Sequence, residues 1–187
     1  MPEFVLASAS PRRKELLGYL IKEFTVSPTD SDESLPEGIK AEKAVELLSK
    51  RKAEACAKKH PHAVVIGCDT VVELDGQILG KPSNELDARR MLSMLSGKTH
   101  HVYTGVCIIF QNLAHTFHVC TSVTFVSLTD EQISAYLATG EPFDKAGAYG
   151  IQGYGCTLVS GIHGCYYNVM GLPVAKLGEQ LKNLGIL

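Results

Sequence analysis

Ala63-Val64-Val65-Ile66-Gly67-Cys68-Asp69-Thr70-Val71-Val72-Glu73-Leu74 is a long run rich in β-branched residues. It reads as a strand, and Asp75-Gly76 after it is a hairpin turn signal leading into Gln77-Ile78-Leu79. Helical patterns lie on both sides. Lys40 to Lys59 carries an apolar stripe of Ala44, Leu47, Leu48 and Ala55 between charges, with Pro61 just beyond. Asn84 to Leu95 is a second amphipathic segment, closed by Gly97 in the manner of a C-cap. Strand-like runs that alternate with helical patterns predict an α/β fold.

Further out the alternation continues. Phe4 to Ala7 is a short apolar strand. Pro11 to Leu20 reads as a helix, with Ser10 as N-cap, Pro11 at the first helical position and Leu16, Leu17 and Leu20 on one face. Phe24 to Ser27 reads as another strand. Ser27 to Ile39 is a loop with two Pro, one Gly, three Ser and four acids, and no base. His101 to Phe110 and Thr116 to Ser127 form two long strands that meet near Asn112. Thr129 to Thr139 is a short helix ended by Gly140. Phe143 to Gly155 is a Gly-rich loop, Cys156 to Ser160 and Gly164 to Tyr167 read as short strands, and Asn168 to Met170 and Pro173 to Leu184 as helical. No linker divides the chain, so residues 1–187 are expected to form one domain with an internal cleft.

Composition bounds the function classes. The chain has 187 residues, 45% hydrophobic and 20% charged, which is globular in character. Eighteen Lys and Arg against twenty Asp and Glu give a formal charge of −2. A general nucleic-acid binder would be strongly basic, so none is expected as partner. No apolar run approaches the ~20 residues that span a bilayer, so no membrane partner is expected either. Met1-Pro2-Glu3-Phe4-Val5-Leu6 lacks a basic n-region and reads as a strand, not a signal peptide. Six cysteines, at 56, 68, 107, 120, 156 and 165, form no C-x-x-C pair and no zinc spacing. They read as small, mostly buried hydrophobes in a reducing compartment, which together with the absence of an N-x-[ST] sequon points to the cytoplasm. Among the histidines, His60, His62, His100 and His101 read as structural or surface residues.

Four features carry chemistry. Ser8-Ala9-Ser10-Pro11-Arg12-Arg13-Lys14 puts three cations in the first turn of a helix, where the macrodipole disfavours them by about 0.3–1 kcal/mol each when exposed. A bound phosphate would reverse that penalty, because free N–H groups and cations would both face it. The alternative is a solvated basic turn. Asp69 is a carboxylate inside an apolar strand, costly to bury without a metal or a cation. Gly67 beside it permits close approach to the backbone. The alternative is an outward-facing Asp. Lys81, in Gly80-Lys81-Pro82, follows a turn that returns to the same sheet edge. Glu33, in the acidic loop, suits a hard cation that takes one or two carboxylates together with substrate phosphates, with Asp69 as the second; otherwise it is a solvated loop acid. Asp144-Lys145-Ala146-Gly147-Ala148-Tyr149-Gly150-Ile151-Gln152-Gly153 fits neither G-x-G-x-x-G nor a P-loop. A Gly-rich loop holding a Lys and a Gln that reads as buried still suits a polar small molecule, and Gln152 can donate and accept at once, as reading a nucleobase edge requires.

Taken together and in order, Ser8-x-Ser10-Pro11-Arg12-Arg13, Gly67-x-Asp69-Thr70-Val71, Gly80-Lys81-Pro82, Leu95-Ser96-Gly97, Thr104-Gly105-Val106 and the Asp144 to Gly153 segment resemble the Maf family of nucleoside triphosphate pyrophosphatases. The resemblance spans nearly the whole chain. It implies an elongated, strongly twisted mixed sheet flanked by helices, related to the inosine-triphosphatase fold, with two lobes around a cleft and commonly a homodimer. Carried over by position, it puts Ser8, Arg12, Arg13 and Lys52 on the phosphate side. It puts Glu33 and Asp69 at the metal and water, with Mg²⁺ or Mn²⁺ as cofactor, and Lys81 in the cleft. Arg12, Thr70 and Gln152 match positions linked to substrate choice. Gly147-Ala148-Tyr149-Gly150-Ile151-Gln152-Gly153 resembles the dTTP/UTP pyrophosphatase subgroup, not the one that favours a methylated guanine nucleotide. The implied role is a house-cleaning hydrolase that removes modified or surplus nucleotides.

Three rival readings differ in class. A septum-formation regulator would need no aligned Asp69, Lys81 and Arg12-Arg13 set. A nucleic-acid binder conflicts with the acidic balance. A phosphomonoesterase would release orthophosphate instead of pyrophosphate.

Overall fold

A computed structural model describes residues 2–187; Met1 lies outside the described residues. Seven strands form one mixed sheet: β1 (Phe4–Leu6), β2 (Thr25–Val26), β3 (Val64–Leu74), β4 (Gln77–Leu79), β5 (Thr99–Phe110), β6 (Leu113–Phe125) and β7 (Val159–His163). Their order is β2-β1-β3-β5-β6-β7, with β4 paired to β3 alone. β2, β1 and β3 run parallel, and the pairs from β3 onward are antiparallel. The helices are α1 (Pro11–Gly18), α2 (Ala41–Ala57), α3 (Glu85–Leu95), α4 (Asp130–Leu137), α5 (Tyr166–Met170) and α6 (Val174–Asn183). The expected α/β fold with an elongated mixed sheet is the one observed.

β3 runs out of one apolar core and into another. At its start, Val64, Ile66 and Cys68 pack with Leu16 and Leu17 of α1 and with Leu177 and Leu181 of α6. At its end, Val72 and Leu74 pack with Leu92 and Leu95 of α3 and with Phe125 and Tyr149. Each such leucine, fully buried, contributes about 1.5–3 kcal/mol. Alternation along the strand sets Thr70 on this same face, at the junction between the two cores. The two lobes are therefore the two cores threaded by the same long strands.

The junction is also where the sheet is interrupted. β1 pairs with β3 from Val64 to Ile66, and β4 pairs with it from Val72 to Leu74. Among the described residues no strand covers Gly67 to Val71 on that edge, although β5 covers the other edge throughout. The gap opens the cleft.

On the opposite face α2 lies directly on β3 and β5. A Cβ at Gly67 would sit 2.3 Å from the Ser49 carbonyl oxygen, and one at Gly105 would sit 2.2 Å from that of Val45. Only glycine lets a helix approach this closely. The buried face of α2 accordingly runs through Ala41, Ala44, Val45, Leu48, Ser49, Ala53 and Cys56. The expected stripe differs, since Leu47 and Ala55 are only half-buried and smaller residues take the contact.

Most predicted elements are present. β6 begins earlier than expected, at Leu113, because it follows β5 through a tight turn in which Gln111 and Asn112 both have positive φ (50° and 63°); β5 begins earlier too, at Thr99, where it pairs with Thr124. Two expectations fail. Cys156 to Leu158 belongs to a 3₁₀ turn, Gly153–Leu158, and β7 starts only at Val159. Gly164 to Tyr167 is no strand: Thr121 Oγ1 accepts the Cys165 N–H (3.1 Å), and Tyr166 enters α5. Tertiary contacts override strand propensity there.

All six cysteines are free thiols; Cys56, Cys68 and Cys107 are buried as expected, whereas Cys120 and Cys156 are exposed. Among the described residues no helix is long and apolar enough to cross a membrane.

Candidate active site

The gap in the sheet opens into a cleft of about 1140 Å³. Its walls come from the β1–α1 turn, the acidic loop, α2, the exposed edge of β3, the turn after β4 and the Gly-rich loop. Ser8, Arg12, Arg13, Glu33, Lys52, Asp69, Thr70, Lys81 and Gln152, singled out from the sequence, all line it. Five cations and four acids share the walls.

The basic turn divides its cations. Ser10 caps α1 through the Arg13 N–H (3.4 Å), which fixes the direction in which the turn enters the cleft. Arg12 reaches across the mouth toward Asp144 on the Gly-rich loop, at 3.7 Å. Lys14 is exposed and takes no part. Arg13 turns inward. Its Nε donates to the Gly171 carbonyl (2.9 Å), its Nη1 to Ser8 Oγ (3.2 Å) and the Cys68 carbonyl (3.0 Å), and its Nη2 to Thr70 Oγ1 (3.0 Å). The Cys68 carbonyl lies on the uncovered edge of β3, so Arg13 serves there in place of a missing strand.

Behind Arg13 the proton directions follow by elimination. Thr104 Oγ1 donates to the Asn168 carbonyl (2.9 Å). The Thr70–Thr104 hydroxyl contact (2.9 Å) must then carry the Thr70 proton. Thr70 accepts from Arg13 and donates to Thr104, and its hydroxyl is committed to this buried chain. Asn168 is fully buried and donates to the Val102 carbonyl (3.0 Å) and Thr121 Oγ1 (3.1 Å). Neither Thr104 nor Asn168 stood out as a site residue in the sequence. Thr104 lies in the Thr104-Gly105-Val106 motif, while nothing local marks an Asn at the start of a helical run.

The acids sit on the other wall. Asp69 projects toward α2, on the face where Gly67 and Gly105 bring that helix close. Lys52 Nζ contacts Asp69 Oδ1 at 2.5 Å and Glu33 Oε1 at 2.9 Å. Burial works against the Lys52 charge, yet Asp69 and Glu33 outweigh it and raise its pKa. The hydrogen bond and charge of Lys52 hold the Glu33 carboxyl below its usual range, with Lys81 adding to the effect. Glu33 arrives because its loop is tied to α2: Arg51 Nη1 donates to the Ser34 carbonyl (2.6 Å), and Thr29 Oγ1 donates to the Lys52 carbonyl (3.2 Å).

The Gly-rich loop forms the far wall. Lys145 Nζ donates to the Glu141 carbonyl and to Asp144 Oδ1, each at 2.6 Å. Glu141 accepts the N–H groups of Tyr154 (2.9 Å) and Gly155 (3.2 Å), and Gln152 just before them is exposed at the rim, not buried as its sequence setting suggests, because this turn is held from its Glu141 side. Asp144, Lys145 and Glu141 are cleft residues to which sequence reasoning assigned no role.

Fold and site together define an α/β protein with a cation-rich cleft at a break in its sheet. The same fold occurs in the Ham1 protein of Staphylococcus aureus, with a TM-score of 0.52 over 84% of this chain and 79% of that one, at 16% identity. That likeness concerns fold alone and agrees with the fold expected. The chain belongs to the Maf-like protein family, whose model matches residues 3–184. It is similar to proteins named dTTP/UTP pyrophosphatase: one from Moorella thermoacetica is 50% identical over 188 residues, covering 100% of this chain and 97% of that protein. Another, from Agathobacter rectalis, is 48% identical over 204 residues, covering 100% and 99%. A third, from Bacillus mycoides, is 49% identical over 182 residues, covering 97% and 95%.

Proposed function

We propose that this chain hydrolyses dTTP and UTP between the α- and β-phosphates, giving the nucleoside monophosphate and pyrophosphate. One observation carries the reading. Cations and carboxylates suited to a triphosphate meet in one cleft of a chain whose full-length relatives, at 48–50% identity, bear that activity in their name.

The donor set fits a hard divalent ion such as Mg²⁺ or Mn²⁺. Glu33 and Asp69 reach one common point, and no cluster of three or more His, Cys, Asp or Glu that would cage a metal exists among the described residues. One or two carboxylates completed by substrate phosphate is how such ions are held. When bound, the ion neutralises phosphate charge and orients water. Asp69 then accepts the proton of the attacking water. The water oxygen bonds to phosphorus as the bond to the bridging oxygen breaks, and the electron pair departs with pyrophosphate. Arg12 and Lys81 neutralise the charge that develops on the phosphates. Gln152 reads the pyrimidine edge: its amide complements the O4 acceptor and N3 donor of thymine and uracil, whereas the N4 amine of cytosine inverts part of that pattern.

A nucleotide panel with both phosphate products identified tests this. dTTP and UTP should turn over fastest and release pyrophosphate, and Asp69→Asn should lose about 10²–10⁴-fold in turnover while still binding nucleotide. Gln152→Ala should narrow the UTP/CTP ratio, since an unpaired edge costs about 1–3 kcal/mol. Faster turnover of CTP, ATP or 7-methyl-GTP, or release of orthophosphate, contradicts the reading. A homodimer and a cytoplasmic setting belong to the same proposal, and sedimentation and cell fractionation measure them.

A further inference from the structure

The nitrogen of Lys52 lies between the two carboxylates that the proposed reading gives to a metal, 2.5 Å from Asp69 Oδ1 and 2.9 Å from Glu33 Oε1. A Mg²⁺ ion takes its oxygen ligands at about 2.0–2.1 Å, so an ion bridging these two oxygens would need the volume that the ammonium fills. Two cations cannot share it.

The backbone of Lys52 is carried on a helix packed directly against the strand that bears Asp69. α2 is seated on the sheet with no space for even a Cβ at Gly67, where Ser49 and Ala53 close in at 2.3 Å and 2.7 Å. That packing fixes where the side chain starts, and its four-carbon stem supplies the freedom to swing. The carboxylates are anchored as well, Asp69 by its strand and Glu33 by a loop tied to α2 through Arg51 and Thr29. The Lys52 ammonium is itself largely buried and held by both carboxylates, so leaving them calls for another anion in their place. The cleft it lines offers that exchange when a triphosphate enters.

We propose that the Lys52 side chain is the resident cation of the Glu33–Asp69 pair, so that the free protein binds divalent ions weakly and the ion enters together with the triphosphate, which draws Lys52 onto phosphate. The proposal rests on the metal assignment above and adds an order of binding to it.

The test is a titration of nucleotide-free protein with Mn²⁺ alone, read from the electron paramagnetic resonance signal of unbound Mn²⁺. Lys52→Met should bind Mn²⁺ at least about tenfold more tightly than wild type, because a close positive charge has been removed. Lys52→Arg should stay as weak as wild type, and Lys52→Met with Glu33→Gln should lose the gain. If Lys52→Met is unfolded by circular dichroism, Lys52→Gln is read in its place by the same criteria. Equal affinity in wild type and the neutral variant overturns the proposal, as does a gain that survives Glu33→Gln. Pyrophosphate release is assayed separately on wild-type protein, so failure of the hydrolase reading is distinguishable from failure of this one.

Discussion

Arg13 is a residue whose sequence position and structural partners suggest different roles. In the sequence it is one of three cations at a helix start. In the structure its guanidinium holds Ser8, Thr70 and two backbone carbonyls, leaving one of its five N–H groups for a ligand. Lysine cannot reproduce that fork. Arg13→Lys should therefore lower stability by about 1.5–3 kcal/mol, the worth of charge-assisted bonds to partly buried acceptors, as well as reducing kcat/KM. Urea unfolding measures the first effect and steady-state kinetics the second. An unchanged unfolding midpoint with lost activity would mean that the side chain acts on phosphate alone. Asp69 was the most legible site residue, because a carboxylate in an apolar strand calls for a partner. Which partner it has, Lys52 seventeen positions earlier, depends on how α2 crosses β3.

At the scale of elements, α2 on the sheet is the contact that assembles the acidic wall. Gly67 and Gly105 admit it, on neighbouring antiparallel strands. Gly105→Ala should push the helix outward, since its Cβ would fall 2.2 Å from a backbone oxygen that has no side-chain freedom to yield. Overpacking of this kind costs about 1–3 kcal/mol. Because Lys52 rides on the same helix, activity should fall more than stability alone explains. Comparing kcat well below the melting temperature with the unfolding midpoint separates the two. A variant as stable and active as wild type would show that α2 shifts without consequence.

Across the whole molecule, the core at the end of β3 has an imidazole packed against it. His100 is fully buried, its Nε2 2.8 Å from the Tyr149 hydroxyl, and edge-on to Phe125 and Tyr149. Its Nδ1 has no partner among the described residues. Burial, with a smaller contribution from His101, lowers its pKa to about 4. The unfolded chain then binds a proton that the folded chain refuses, so stability is full above pH ~6.5 and is lost as pH falls toward about 4, by up to roughly 3 kcal/mol. The melting temperature should drop between pH 7 and pH 5, and His100→Gln should flatten that drop. An equal slope in the variant would assign the acid sensitivity to the carboxylates instead.

The sequence by itself determined the alternation of strands and helices, the acidic loop, the capped basic turn and the motif set, because each is local: periodicity, caps and turn residues act within a few positions. It also marked nine of the residues that the cleft gathers, though not Glu141, Asp144 or Lys145 in any role. Only the tertiary structure decided that β3 is uncovered from Gly67 to Val71, that Arg13 fills that edge while Arg12 faces the cleft mouth, and that Lys52 stands between Glu33 and Asp69. The short helix from Tyr166, read from the sequence as the end of a strand, belongs to the same group. These features depend on which strand lies beside which and how closely a helix sits on them. Contacts between residues far apart in the chain set those relations, and local propensity carries no information about them.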